Sequence, residues 1–239
     1  MGSRVLQRLT ATAVELWGDG RGWTLTVISF GWLLGFGTRV SFPVLIPYVR
    51  EAFELTLTTA GFLLTLLWLG YAIGHLPGGY LGDRVGDRAT LVGGMALTTT
   101  GMLVAALAPV GWAFFVATAV TGVGIGVFTP TRFTVLSDLF PDRDGTAMAV
   151  STAAGNVGNT VLPVATGLLA AALGWRFGVG YLVPLLLVAT VALWPTVPAR
   201  TSEGSPDGPT AVGDTLGGIR RQSTLLATGT LTLMSFVYQ

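Results

Sequence analysis

Long apolar runs separated by short charged or glycine-rich breaks dominate this chain. The runs fall at 24–48, 58–81, 89–108, 112–136, 146–173 and 177–194. A hydrocarbon core of about 30 Å takes about 20 apolar residues in a helix, so the pattern predicts six membrane-spanning helices. A seventh apolar run opens near Ser223, and the sequence reaches Gln239 before that run is long enough to cross. Residues 196–222 are different: Thr201-Ser202-Glu203-Gly204-Ser205-Pro206-Asp207-Gly208-Pro209 is polar and rich in glycine and proline. Such a stretch has too little apolar surface to fold alone and reads as a flexible linker. The first 22 residues hold Arg4, Arg8, Glu15, Asp19 and Arg21 and lack a continuous apolar centre, so a cleavable signal is not expected there. Val5, Leu6, Leu9, Ala13, Leu16 and Trp17 recur at helical spacing, as in a helix lying in the membrane interface or a partly helical tail. The organisation expected is therefore 1–22 amphipathic segment, 23–195 six-helix bundle, 196–222 linker and 223–239 incomplete seventh helix.

Composition agrees with lipid as the solvent. Hydrophobic residues make up 51% of the chain and charged residues 10%, well below the roughly one quarter usual in soluble domains. There is no cysteine and one histidine, His75, which excludes disulfides and thiolate sites and leaves little from which to build a metal centre. No cofactor is expected. A net charge of +1 without a basic cluster gives no reason to expect nucleic acid. The spans contain no His-rich, Cys-containing or paired-acid constellation, so enzymatic chemistry is not expected, and no phosphate-binding loop is present.

All thirteen basic residues are arginine, and their placement orients the helices. With the N-terminus inside, Arg4, Arg8, Arg21, Arg84, Arg88, Arg132, Arg143, Arg200, Arg220 and Arg221 are cytoplasmic, and only Arg50 and Arg176 are outside. That bias predicts a cytoplasmic N-terminus, and a multi-pass protein of the plasma membrane is expected.

The break between the second and third runs carries the most information. Gly79-Tyr80-Leu81-Gly82-Asp83-Arg84-Val85-Gly86-Asp87-Arg88 is a tight charged turn on the inner side. Gly79, Leu81, Asp83, Arg84, Gly86 and Arg88 match the pattern G-x-L-a-D-r-x-G-r-k between helices two and three of the major facilitator superfamily, and the chain resembles that family. Leu139-Phe140-Pro141-Asp142-Arg143-Asp144-Gly145-Thr146 is similar to a second inner turn of the family. The resemblance implies an all-α integral membrane fold, a six-helix bundle of two inverted three-helix repeats followed by a truncated seventh span. It also implies a conformational gate at Gly79, Asp83, Arg84, Gly86, Arg88 and Arg143, in which Asp83 latches the two halves of the transporter. Two simpler readings stand beside it: the charges of the turn merely cap helices, and Arg143 pairs with Asp142 or Asp144 rather than Asp83. Asp87 departs from the pattern, which has a basic residue there. The family's helix-four arginine before G-x-G and its glycine-proline signature in helix five are also missing, which argues against a typical proton-coupled drug exporter.

Three residues are candidates for touching cargo. Arg39 is the charge well inside a span, about 13 Å below the outer end of the first helix. It either faces a water-filled path or snorkels outward past Pro43 and Pro47. Asn156 and Asn159 share a face of the fifth run with Thr152 and Pro163, and either bind cargo or join helices through their amides. Arg132, about 30 Å down the fourth run from Trp112, reads as an anchor near the inner interface. His75 reads as an ordinary hydrogen-bonded residue, and Glu51 and Glu54 as solvated loop charges. No acid lies deep in the six runs, so no proton relay is visible in this half.

The function expected is secondary transport of a small solute by alternating access. Arg39 favours an organic anion or carboxylate, with a drug-like efflux substrate next. The other class is a truncated, non-transporting membrane protein, a scaffold or gene fragment. Expected partners are the small-molecule substrate, a coupling ion (H+ or Na+), the lipid bilayer, and the missing C-terminal half or a second chain.

Overall fold

The computed structural model describes residues 20–200. The amphipathic segment, apart from its last residues, most of the linker and the incomplete seventh helix therefore lie outside the described residues. Seven helices follow one another: α1 (Arg21–Ala52), α2 (Leu57–Val85), α3 (Asp87–Leu107), α4 (Gly111–Leu139), α5 (Asp144–Leu173), α6 (Trp175–Gly180) and α7 (Leu182–Thr196). The last two form one membrane-length unit, Trp175–Thr196, so the described residues hold six helical units long and apolar enough to cross a membrane. Among the described residues there is no strand.

Two turns show how the sequence sets this path. Gly86 ends α2 and begins α3 at φ 95° and ψ 157°, and Gly174 joins α5 to α6 at φ 96° and ψ 157°. Each glycine donates its N–H to the carbonyl four residues back, Gly82 and Ala170 respectively. A positive φ at both turns is open to glycine and strained for any residue with a Cβ. One turn lies at the end of the bundle that holds the start of α1, and the other at the opposite end. The same device thus recurs, inverted, between helices two and three and between five and six.

Packing repeats the relation. The most extensive contacts are α1 with α5 and α2 with α4, which exchange under that inversion. Both crossings are close because small residues line them. A Cβ on Gly37 of α1 would sit 2.5 Å from the Gly158 carbonyl oxygen of α5, and one on Gly70 of α2 would sit 2.5 Å from the Ala119 oxygen of α4. With no hydrophobic driving force between helices in lipid, such van der Waals contact is a principal source of association. Leu91, Met95 and Met102 of α3 and Phe114, Ile125 and Phe128 of α4 are all buried in the shared core.

Among the described residues, the two ends differ in how many arginines they hold. At one, Arg21 Nη1 donates to the Leu139 carbonyl (3.3 Å), Thr24 Oγ1 to Thr196 O (2.7 Å), Arg88 Nε to Val197 O (2.7 Å) and Arg200 Nη2 to Arg84 O (3.0 Å). At the other, Arg176 Nη2 donates to Ala108 O (2.8 Å), and the rings of Phe53, Phe114 and Trp175 pack together with centroids 5.5–6.2 Å apart. Arginines satisfying the last carbonyls of neighbouring helices complement the negative helix C-termini there.

Candidate functional site

Trp32, Phe36 and Arg39 follow one another at four- and three-residue spacing and so share a face of α1. Trp68, Tyr71 and His75 do the same on α2. Where these faces meet, the Arg39 guanidinium lies over three rings: Tyr71 at 4.3 Å, Trp68 at 4.4 Å and Phe36 at 4.7 Å. Arg39 is 8% exposed, and its Nε is buried without a hydrogen-bond partner. No carboxylate among the described residues pairs with it. Placing an arginine at mid-membrane costs about 2.5–3.5 kcal/mol on insertion scales. Desolvated cation–π contacts of up to about 2 kcal/mol each are large enough to offset that cost. Arg39 is therefore stable without a counter-ion.

The aromatic column continues below it. Phe36 stacks on Trp32 at 5.2 Å with an interplanar angle of 11°. Arg132 of α4 lies 4.1 Å over Trp32 and 4.2 Å over Phe133, and Arg132 Nη1 donates a 2.7 Å hydrogen bond to Ser151 Oγ on α5. At 1% exposure Arg132 is buried between α1, α4 and α5, so it does not sit as an anchor in the interface. Counting residues from Trp112 gives its height along α4 but not its azimuth, which turns it inward toward Trp32.

On α5, Gly158 faces Gly37, which brings Asn159 to the same level of the bundle as Arg39. Asn159 is half-buried, and its Oδ1 is buried with no hydrogen-bond partner. Asn156 is exposed one turn lower. No hydrogen bond joins either asparagine to Arg39. His75 Nδ1 is 2.7 Å from the Tyr71 carbonyl oxygen, and the two rings meet edge to face at 4.4 Å. Glu51 and Glu54 are exposed at the end of α1 and the turn after it. Sequence reading missed the cage of Phe36, Trp68 and Tyr71, although the aromatic spacings on α1 and α2 are a signal that could have found it.

At the turn, Gly86 lies against Ala199, and Arg88 and Arg84 are tied to the segment after α7. Arg84 also lies 4.7 Å over Tyr80. Asp83 is exposed and has no hydrogen bond or ion pair to another described residue, so it is not paired with Arg143. Asp87 is the buried acid of the turn, 6% exposed in the first turn of α3, where the positive end of the helix favours it.

The sequence pattern of the Major Facilitator Superfamily matches residues 27–239. The chain belongs to the major facilitator superfamily. It is 30% identical over 155 residues to a major facilitator superfamily multidrug transporter of Aspergillus fumigatus, covering 64% of this chain and 29% of that protein. It is 33% identical over 152 residues to a 3-(3-hydroxy-phenyl)propionate transporter of Escherichia coli, covering 61% and 37%. It is 27% identical over 177 residues to a gentisate transporter of Corynebacterium glutamicum, covering 72% and 38%. The fold is likewise that of the POT family transporter PepTSo, with a TM-score of 0.70 at 19% identity over 81% of this chain and 40% of the other. The chain spans less than half the length of each of these relatives. With six membrane-length helical units among the described residues and this kinship, it is a multi-pass membrane protein of a transporter family.

Proposed function

We propose that this chain forms one half of a secondary transporter for an aromatic or other small organic carboxylate, working by alternating access, with Arg39 as the anchor for the anion. The observation that carries the proposal is the Arg39 cage: a buried guanidinium, ringed by three aromatic side chains, with no acid among the described residues to neutralise it. A carboxylate completes such a site, because guanidinium binds it through paired N–H donors, while the rings of Trp68, Tyr71 and Phe36 offer stacking surface to an aromatic cargo. Asn156 and Asn159 supply amides for hydroxyl groups on the same ligand. Two relatives named for 3-(3-hydroxy-phenyl)propionate and gentisate support this class.

In this reading the turn at Gly79, Asp83, Arg84, Gly86, Arg88 and Arg143 is the conformational gate. The exposure of Asp83 leaves it accessible to a partner from a second helical block. Rocking of two such blocks about a central site is how repeat-built transporters alternate access. The protein is placed in the plasma membrane, and the gathering of Arg21, Arg84, Arg88 and Arg200 at one end supports that end as the cytoplasmic one. Coupling to H+ or Na+ supplies the driving force. A second reading, efflux of drug-like compounds, is favoured by the multidrug relative and by the aromatic lining.

The test is uptake into proteoliposomes of the purified full-length gene product, comparing hydroxyphenylpropionate and gentisate with a lipophilic cation. Saturable uptake of the carboxylates is expected. Saturable transport of the cation with no carboxylate uptake would move the protein to the drug-efflux class.

A further inference from the structure

We infer that Arg132 is a second anion-binding residue of the transport path, one that receives the carboxylate of the cargo on the arginine-rich side of Arg39. The inference rests on the carboxylate reading of Arg39.

Arg132 has the chemistry of a ligand site rather than of a packing residue. It is the largest fully buried side chain among the described residues, and its charge is permanent because guanidinium does not deprotonate in proteins. Its one hydrogen-bond acceptor is the neutral hydroxyl of Ser151, and its Nε is buried with no partner. The described acids Glu51, Glu54, Asp83, Asp142 and Asp144 are exposed at the helix ends, and none pairs with it. Asp138, on the same helix, is exposed six residues further toward the end, beyond side-chain reach along a helix. Asp87 lies at the start of α3. Cation–π contacts with Trp32 and Phe133 offset the cost of burying this cation, as they do at Arg39, and they leave its charge without an anionic partner.

Its position gives that charge a use. Trp32 and Arg39 are seven residues apart on one face of α1, a rise of about 10 Å. Between the two guanidinium groups runs an unbroken stack: Arg132 on Trp32 at 4.1 Å, Trp32 on Phe36 at 5.2 Å, and Arg39 on Phe36 at 4.7 Å. A carboxylate that leaves Arg39 toward the arginine-rich end thus meets a second guanidinium about two helical turns on. Along the way the ring of the cargo slides over aromatic faces. The two cations serve the two halves of the cycle, Arg39 the remote side and Arg132 the arginine-rich side.

The experiment is sided transport by the full-length gene product in oriented proteoliposomes, with the carboxylate presented on one face and then on the other. Wild type, Arg39→Gln, Arg132→Gln and Arg132→Lys are compared. Losing a charge-assisted hydrogen-bonding partner weakens binding about ten- to a hundredfold. Arg132→Gln is expected to raise KM by that factor for substrate added on the arginine-rich side and to leave KM on the other side within about twofold, with Arg39→Gln doing the reverse. Arg132→Lys, which keeps the charge, recovers most of the loss; if Arg132→Gln does not fold, this variant alone must still show a one-sided KM increase. Equal KM on both sides for the Arg132 variants, whether unchanged or raised together, overturns the inference and leaves the Arg39 reading standing. Wild-type protein that carries no anion overturns both.

Discussion

Gly37→Ala probes the crossing that brings Arg39 and Asn159 to one level of the bundle. The new Cβ would lie 2.5 Å from the Gly158 carbonyl oxygen, 2.8 Å from its carbonyl carbon and 2.5 Å from Leu162 Cδ1. Leu162 can change rotamer, but the carbonyl belongs to the α5 backbone and cannot yield without moving the helix. Carbon-to-oxygen contacts in helix interfaces normally settle at about 3.3–3.6 Å, so α1 and α5 must separate by roughly an ångström. Overpacking of this kind costs about 1–3 kcal/mol. At about 2–4 °C per kcal/mol for a domain of this size, Tm should fall by roughly 2–12 °C. The assay is thermal unfolding of the detergent-purified full-length gene product, with Gly93→Ala as the control. Gly93 on α3 is exposed, and a Cβ added there would have nothing within 4 Å, so alanine gains about 0.8–1.0 kcal/mol of helix propensity without a clash. A Tm for Gly37→Ala no lower than that of Gly93→Ala refutes close packing at the α1–α5 interface.

Three further outcomes are expected. Gly86→Ala places a Cβ at a φ of 95° and ψ of 157°, 2.5 Å from the Ala199 oxygen, so it should lower Tm through about 1–3 kcal/mol of backbone strain plus the clash; an unchanged Tm contradicts this. Ser151→Ala removes the hydrogen-bond acceptor of Arg132 and should destabilise the bundle by about 1–3 kcal/mol, read by the same thermal assay, with no shift counting against a bonded Arg132. Trp68→Leu strips one ring from the Arg39 cage and should weaken carboxylate affinity about five- to thirtyfold, the equivalent of about 1–2 kcal/mol, in an equilibrium binding measurement; full affinity would show that the ring is not part of the site.

Much of the fold was legible because hydropathy reports it directly. Each of the runs at 24–48, 58–81, 89–108, 112–136 and 146–173 lies on one of α1 to α5, within a few residues of its ends. The sixth run, 177–194, starts two residues after α6 begins and is interrupted at Tyr181. Pro184 explains the interruption: it has no N–H for the carbonyl of Gly180, and the Tyr181 hydroxyl is drawn to Leu162 O at 2.9 Å. Arg39 was legible as a site candidate because a charge inside an apolar run stands out. Its cage was not, since contacts between α1 and α2 depend on the relative rotation of two helices, which linear spacing does not specify. The interfacial reading of Arg132 fails for the same reason: its depth follows from residue count, its burial against Trp32 and Ser151 from helix azimuth. The turn shows the opposite lesson. Its glycine geometry was legible from Gly86, whereas the burial of Asp87 in place of Asp83 follows from where α3 begins.

The claim that most needs testing is that Arg39 anchors an anion. The measurement is the KM for carboxylate presented on the face remote from the arginine-rich end, in oriented proteoliposomes of the full-length gene product carrying Arg39→Gln or Arg39→Lys, beside wild type, with Tm recorded for each. If Arg39 is the anchor, KM rises about ten- to a hundredfold in Arg39→Gln at unchanged Tm, and Arg39→Lys, which restores the charge, recovers much of the loss. A wild-type KM in Arg39→Gln would contradict it.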